Sequence, residues 1–265
     1  MKLVIHCGLH KTGTTSFQNF CCDNRSTLLD VGIHYPPYKD NYQHSFLIHD
    51  IQENGMSSIQ EYLDRAYAEA RGLCHTVLLS GEDFENCIVD VSLAADIESA
   101  AYKTGFESVA WVVVTRDQDE LLHSLYAEMS KHGVTLRLDK LKQWAAKRGC
   151  LYISANLCNY IFVLDYYRFE DRFKQHTSGA HIVLRFEDFV RDTIGMALFE
   201  EILPEEKLAA LRKTAVPKSG KKNKRLGKYQ VEANYIATAL GVERFSKRQY
   251  SFLLAPLIWL SRRKA

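Results

Sequence analysis

Leu3-Val4-Ile5-His6-Cys7-Gly8-Leu9-His10-Lys11-Thr12-Gly13-Thr14-Thr15-Ser16 is the stretch from which the rest of the chain is read. Leu3 to Cys7 is a short apolar run stopped by glycine, the pattern of a strand buried on both faces of a parallel sheet. Gly8 and Gly13 bracket a tight loop, and helical spacing follows through Phe17, Phe20 and Cys21. Strand, glycine-bearing loop and helix in that order place free helix N–H groups and loop amides where an anion can be held. Thr14, Thr15 and Ser16 add hydroxyl donors, and Lys11 adds a mobile positive charge.

Outward from this point, strands alternate with helices. Gly32 to Tyr35 reads as a second strand, stopped by Pro36-Pro37, and residues 38–55 read as polar and irregular, with His44 and His49 among them. Ser57 to Arg71 has the spacing of a helix. Thr76 to Leu79 is a further strand, ending in Ser80-Gly81-Glu82-Asp83-Phe84. A helix near 91–103 leads to Val109–Val114, the most apolar strand, which runs into Thr115-Arg116-Asp117. Asp119 to Met129 reads as a helix, 135–175 as helical and aromatic-rich, His181 to Phe186 as a fifth strand and Leu198 to Leu211 as a helix. The alternation predicts an α/β three-layer sandwich around a mostly five-stranded parallel sheet, with its site beyond the carboxyl ends of the strands. No linker divides the chain, so one domain over 1–265 is expected, with insertions around 36–56 and 130–175.

Composition narrows the class. The 265 residues are 46% apolar and 25% charged, with 14 glycines and 5 prolines, a globular balance. The net charge of +2 calls for no nucleic-acid or anionic-membrane partner. It conceals a run from Arg212 to Lys228 with eight basic and no acidic residues, which takes the remainder of the chain from +2 to −6. Seven cysteines without a CxxC pair fit reduced thiols, and no metal-ligand spacing occurs among the ten histidines, so no metal is expected. With no apolar segment behind a basic start, the expected location is cytoplasmic. The apolar stretch Phe252–Leu260 is too short to span a bilayer, and with Arg262-Arg263-Lys264 behind it offers at most weak contact with a membrane surface.

The loop invites comparison with the nucleotide-binding pattern GxxxxGK[ST]. Gly8, Gly13 and Thr15 stand where that pattern needs them, but position 14 is threonine and the lysine lies earlier, at Lys11. No strand ends in a clear magnesium-binding aspartate; the strand at 109–114 ends in Thr115-Arg116 instead. A phosphate loop without the usual magnesium machinery suggests a donor other than a nucleoside triphosphate.

His10-Lys11-Thr12-Gly13-Thr14-Thr15-Ser16-Phe17-Gln18 resembles the 5′-phosphosulfate loop of sulfotransferases that use 3′-phosphoadenosine 5′-phosphosulfate (PAPS). The second family signature, a strand ending in arginine with a serine further along the next helix, is matched by Arg116 and Ser124. The resemblance is to a soluble, bacterial-type member and covers roughly residues 3 to 190. It implies a P-loop NTPase-like sulfotransferase fold, with His10, Lys11, Thr12, Gly13, Thr14, Thr15 and Ser16 around the 5′-phosphosulfate and Arg116 and Ser124 on the 3′-phosphate. The implied product is 3′-phosphoadenosine 5′-phosphate. Lys11 would also stabilise the departing oxygen. The family closes over the nucleotide with a basic late loop, for which 212–228 is the candidate through Lys218, Lys221 and Lys222. The Arg-Lys-Gly signature of cytosolic animal members is missing from it.

Sulfuryl transfer needs a base beside the acceptor. The resemblance implies a histidine or a glutamate; Glu82 and His44 are the first candidates, with His49, His34 and Asp83 behind them. The acceptor class is a hydroxyl on a carbohydrate, glycolipid or small metabolite, and the protein a monomer or homodimer. Two other functions stay open: an atypical P-loop kinase or NTPase that needs magnesium, and a non-catalytic nucleotide- or polyanion-binding scaffold.

Overall fold

The computed structural model describes residues 1–131, 137–154 and 159–215, together with Val231. In chain order the elements are β1 (Lys2–His6), α1 (Thr14–Asp23), α2 (Arg25–Asp30), β2 (Ile33–His34), α3 (Phe46–Asn54), α4 (Ser57–Ala70) and β3 (Thr76–Ser80). A 3₁₀ turn at Glu82–Glu85 precedes α5 (Asn86–Val89), α6 (Val91–Thr104), β4 (Ser108–Thr115), α7 (Gln118–Lys131) and α8 (Leu138–Arg148). The chain continues through β5 (Cys150–Ser154), β6 (Asn159–Val163), α9 (Glu170–His176), β7 (Ala180–Arg185), α10 (Phe186–Phe189), α11 (Met196–Ile202) and α12 (Glu205–Thr214).

Five strands form one sheet in the order β2-β3-β1-β4-β7, and each neighbouring pair is parallel. Ile5 pairs with Leu79 on one side and Trp111 on the other, so β1 lies at the point where the order reverses. Alternate residues of a strand face opposite ways, and both faces of this sheet are apolar. Val4, Leu78, Ala110, Val112, Val114 and Leu184 pack with Phe17, Phe20 and Cys21 of α1, Leu28 of α2 and the apolar sides of α10, α11 and α12. On the other face the buried residues Leu3, Ile5, Leu79 and Trp111 are covered by α4, α6 and α9, with Trp111 edge-on to Phe173. The result is a mixed α/β fold with a parallel five-stranded sheet in three layers.

The chain divides into two compact units, Met1–Arg116 with Arg148–Ser219, and Asp117–Lys147 with Gly220–Ala265. The sheet belongs to the first. In the second, α7 and α8 are tied by an ion pair from Lys142 Nζ to Asp119 at 2.8 Å.

Three local readings change. Residues 38–55 are not irregular throughout: α3 forms at Phe46–Asn54, because Leu47, Ile48 and Ile51 share one buried side. The stretch 135–175 is helical only at its ends; its middle is the antiparallel pair β5–β6, with Cys150 opposite Val163. The helix expected at Leu198–Leu211 is two helices, broken at Leu203-Pro204.

Candidate functional site

Four adjacent strands deliver residues to one edge of the sheet. β1 runs directly into the glycine loop, whose backbone continues the pairing with β4: Leu9 N–H donates to Val114 O at 3.1 Å, and Val114 N–H donates to Gly8 O at 2.6 Å. Lys11 and Gly13 then turn left-handed, at φ 64° and 85°, while Thr12 and the first helical residue, Thr14, do not. Backbone that alternates hand in this way points successive N–H groups into one concavity, which is how main chain alone cradles an anion. Gly13 is required twice over. A side chain would be strained at its φ, and its Cβ would lie 3.2 Å from Ile194 Cδ1 and 3.3 Å from Val190 Cγ1.

The hydroxyls in the loop are not equivalent. Thr12 is buried and donates to Leu9 O at 2.5 Å, closing the loop on itself. Thr14 is also buried, and its Oγ1 donates to Glu82 Oε2 at 2.6 Å. Thr15 is partly exposed and Ser16 exposed at the start of α1, where the amides of the first turn have no partners within the helix.

From the end of β3 comes the acidic turn Glu82–Glu85. Glu85 is fully buried and grips His10 twice, accepting from the backbone N–H at 3.0 Å and from Nδ1 at 2.7 Å. His10 Nε2 is 3.6 Å from Asp83 Oδ1, and His49 Nε2 donates to Asp83 Oδ2 at 2.8 Å. Asp83 therefore bridges a histidine of the loop and a histidine of α3. Burial alone would pull the His10 pKa down, but Glu85, Glu82 and Asp83 outweigh it and hold the imidazole up at about 10, so it is a cation at neutral pH. Burial raises the Glu85 carboxyl, against the pull of His10.

Rings line this histidine pair. Phe46 of α3 lies 5.4 Å from His49, His49 lies 5.6 Å from Tyr160, Tyr160 stacks at 6.2 Å on Phe162, and Phe162 meets His10 at 4.7 Å. The chain of five rings leads from the 40% exposed Phe46 to the loop. β6 is held there by side-chain amides: Asn159 N–H donates to Gln52 Oε1 at 2.9 Å and Ile161 N–H to Asn86 Oδ1 at 3.1 Å.

Directly after β4 comes Arg116, and directly after β7, at the start of α10, Phe186. Thr115 pairs with Arg185, so the next residues of the two strands stand side by side. The Arg116 guanidinium lies 4.4 Å from the centroid of the Phe186 ring and donates through Nη1 to Lys11 O at 3.1 Å.

His44 sits elsewhere. It is buried, accepts from Ser80 N–H at Nδ1 (3.0 Å) and donates from Nε2 to Pro36 O (2.8 Å), so both ring nitrogens serve the main chain. Burial lowers its pKa to about 4. The main chain at 44–45 presses on Gly81, where a Cβ would fall 2.6 Å from Ser45 N. His34 pairs with Glu69 at 3.0 Å, away from these groups in an exposed position. Ser124 lies on α7 in the second unit. Lys218, Lys221 and Lys222, most of the basic run and the apolar tail lie outside the described residues. Arg212, at the start of that run, pairs with Glu200 at 2.5 Å.

Sequence reasoning did not single out Glu85 or Phe186, and it met Tyr160 and Phe162 only as part of the aromatic-rich stretch 135–175, read as helical. Glu85 stands 75 residues from His10, and no local pattern announces the pair. Among the described residues there is no cluster of three or more potential metal ligands, and no helix is long and apolar enough to cross a membrane. No protein-family model, curated protein or solved structure matches the chain.

Proposed function

We propose that this protein is a PAPS-dependent sulfotransferase of P-loop NTPase-like fold, which moves a sulfuryl group to a hydroxyl of a carbohydrate, glycolipid or small metabolite. The observation that carries the reading is the backbone at Lys11–Thr14, where positive φ at Lys11 and Gly13 alternates with Thr12 and Thr14, set at the start of α1 and braced by Arg116 from the neighbouring strand. A cradle of this kind suits the 5′-phosphosulfate of PAPS, which supplies the sulfuryl group. The amides of Lys11–Thr14 and the hydroxyls of Thr15 and Ser16 hold the anion, and the Lys11 ammonium offsets charge on the oxygen left behind when the S–O bond to the phosphate breaks. His10 contributes through its main chain, because its side chain is committed to Glu85 and Asp83.

Glu82 takes the acceptor proton. One of its oxygens is fixed by Thr14, and Oε1 makes no hydrogen bond among the described residues. The base is placed here instead of at His44 because His44 has both ring nitrogens on main-chain groups. As the acceptor oxygen bonds to sulfur, its proton passes to Glu82 and on to solvent, leaving a sulfate ester and 3′-phosphoadenosine 5′-phosphate. The ring chain from Phe46 to Phe162 gives the acceptor side a surface for the faces of a sugar or other ring compound.

One observation favours a second reading. An acid after the strand beside β1, bonded to the threonine that opens α1, is also the arrangement by which a kinase or NTPase organises magnesium. Incubation with PAPS and an acceptor panel, followed by mass spectrometry for a gain of one sulfuryl group, separates the two. Transfer without magnesium supports the sulfotransferase. No transfer, with magnesium-dependent hydrolysis of ATP, supports the other.

A further inference from the structure

We propose that Arg116 is a positioning residue for the anion loop: by holding the carbonyl of Lys11 it sets the left-handed turn that aims the amides of residues 12–14. The role differs from the 3′-phosphate contact expected of this arginine, and its ligand arm rests on the anion-binding reading above.

Three observations converge on the pair. First, Lys11 is a non-glycine residue at φ 64°, a conformation that persists only where the surroundings over-determine it. Arg116 Nη1 donates to the carbonyl of that same residue at 3.1 Å. A charge-assisted bond to the strained residue's own carbonyl opposes its relaxation to the right-handed form, because relaxation would swing that carbonyl away.

Second, the arginine is itself held. Its guanidinium lies 4.4 Å from the Phe186 ring centroid, within cation–π range, on a ring delivered by the strand paired with its own. Third, the same ring lies beside the other end of the turn, where a Cβ built on Gly13 would be in van der Waals range, 3.7 Å from Phe186 Cε2. Phe186 thus lies close to Gly13 and is linked to Lys11 through Arg116. Within the loop, Thr12 Oγ1 donates to Leu9 O and ties its two limbs, while Arg116 reaches the Lys11 carbonyl from the neighbouring strand.

A lysine cannot replace the arginine in this role, since a point charge neither stacks flat on a ring nor offers a fork of donors. Arg116→Lys therefore keeps the charge and removes the brace.

The test has a ligand-free arm and a ligand arm. In the first, amide hydrogen exchange is measured by NMR for Leu9 and His10, which are hydrogen-bonded to Val114 O and Glu85 Oε2. Arg116→Lys, Arg116→Ala and Phe186→Leu are expected to speed exchange at both amides by about tenfold or more, the scale of a lost charge-assisted bond. Exchange in the distant α6 should stay unchanged, which shows that the fold survives. Unchanged exchange at Leu9 and His10 in Arg116→Ala overturns the proposal.

In the second arm, calorimetry compares 3′-phosphoadenosine 5′-phosphate with adenosine 5′-phosphate. A positioning role weakens both by the same factor in Arg116→Lys and in Phe186→Leu. A loss confined to the 3′-phosphorylated nucleotide would overturn it and return Arg116 to a direct phosphate contact. If the unmodified protein binds neither nucleotide, the function proposed above fails, and the exchange measurement alone decides the role of Arg116.

Discussion

The hydroxyl of Thr14 donates to Glu82 at 2.6 Å, joining the first residue of the helix after β1 to the acidic turn after β3. The bond fixes one carboxylate oxygen against the loop and so determines where the other can act. Glu82→Gln keeps the shape and removes the proton acceptor. Sulfuryl transfer is expected to fall by about 10²–10⁴-fold, the range for a lost general base, while binding of 3′-phosphoadenosine 5′-phosphate changes less than threefold. Thr14→Val, which frees the carboxylate without removing it, should lose about tenfold in turnover, consistent with one hydrogen bond. Steady-state kinetics beside calorimetry read both, and equal losses in binding and turnover would count against the assignment.

Gly13→Ala tests the cradle itself. The new methyl would stand at a φ of 85°, strained for any side chain, and would press on Ile194 and Val190 at 3.2 and 3.3 Å, so those side chains must give by a few tenths of an ångström. The expected cost is about 1–3 kcal/mol, with loss of nucleotide binding greater than the loss of stability explains. Urea unfolding and calorimetry on the same sample provide the comparison.

How much of this was legible in the sequence depends on distance along the chain. The strand, loop and helix at 3–21 are contiguous, so their residue types announce them directly, and Arg116 is marked by the apolar strand before it. β5–β6 was hidden because Tyr152, Tyr160 and Phe162 in a mostly apolar run fit a helix as readily as a hairpin. His44 looked available because its neighbours are polar. It is instead packed against the Tyr35 and Tyr62 rings and bonded to the main chain of Pro36 and Ser80, and the contacts with Tyr62 and Ser80 arise only when the chain folds. The bridge of His10 and His49 by Asp83 likewise exists only once α3 and the turn after β3 have been brought to the loop.

Stability should show opposite pH limbs. His10 is held near 10, above its ordinary 6.5, so its contribution is complete below pH 6.5 and is lost as pH rises through about 10. His6 and His44 are buried and lowered, to about 3 and about 4, so each destabilises the fold as pH falls below 6.5, where the unfolded chain takes up protons first. Between pH 6.5 and 8.5, below the titration of the cysteines, stability should decline by up to about 1.4 kcal/mol per pH unit, the slope of one proton. Denaturant midpoints across this window should flatten in His10→Gln. A slope unaffected by that change would assign it elsewhere.

Glu98 anchors the opposite end of the sheet. It is buried and accepts from Trp111 Nε1 at 2.6 Å, from Ser178 N–H and Oγ at 2.7 Å each, and from Gly179 N–H at 3.0 Å. Glu98→Ala strands four donors and should cost about 3 kcal/mol or more, read as a shifted denaturant midpoint with altered Trp111 fluorescence. Nucleotide affinity should be unchanged below the unfolding transition, since these groups lie at the start of β7, away from the loop.

Whether the glycine loop holds the 5′-phosphosulfate end of PAPS is decided by calorimetric titration with 3′-phosphoadenosine 5′-phosphate, beside ADP with and without magnesium. Magnesium-independent binding is expected, favouring the 3′-phosphorylated nucleotide and weakened at least tenfold in Gly13→Ala. Preference for ADP with magnesium would contradict it and establish a kinase or NTPase site on the same loop.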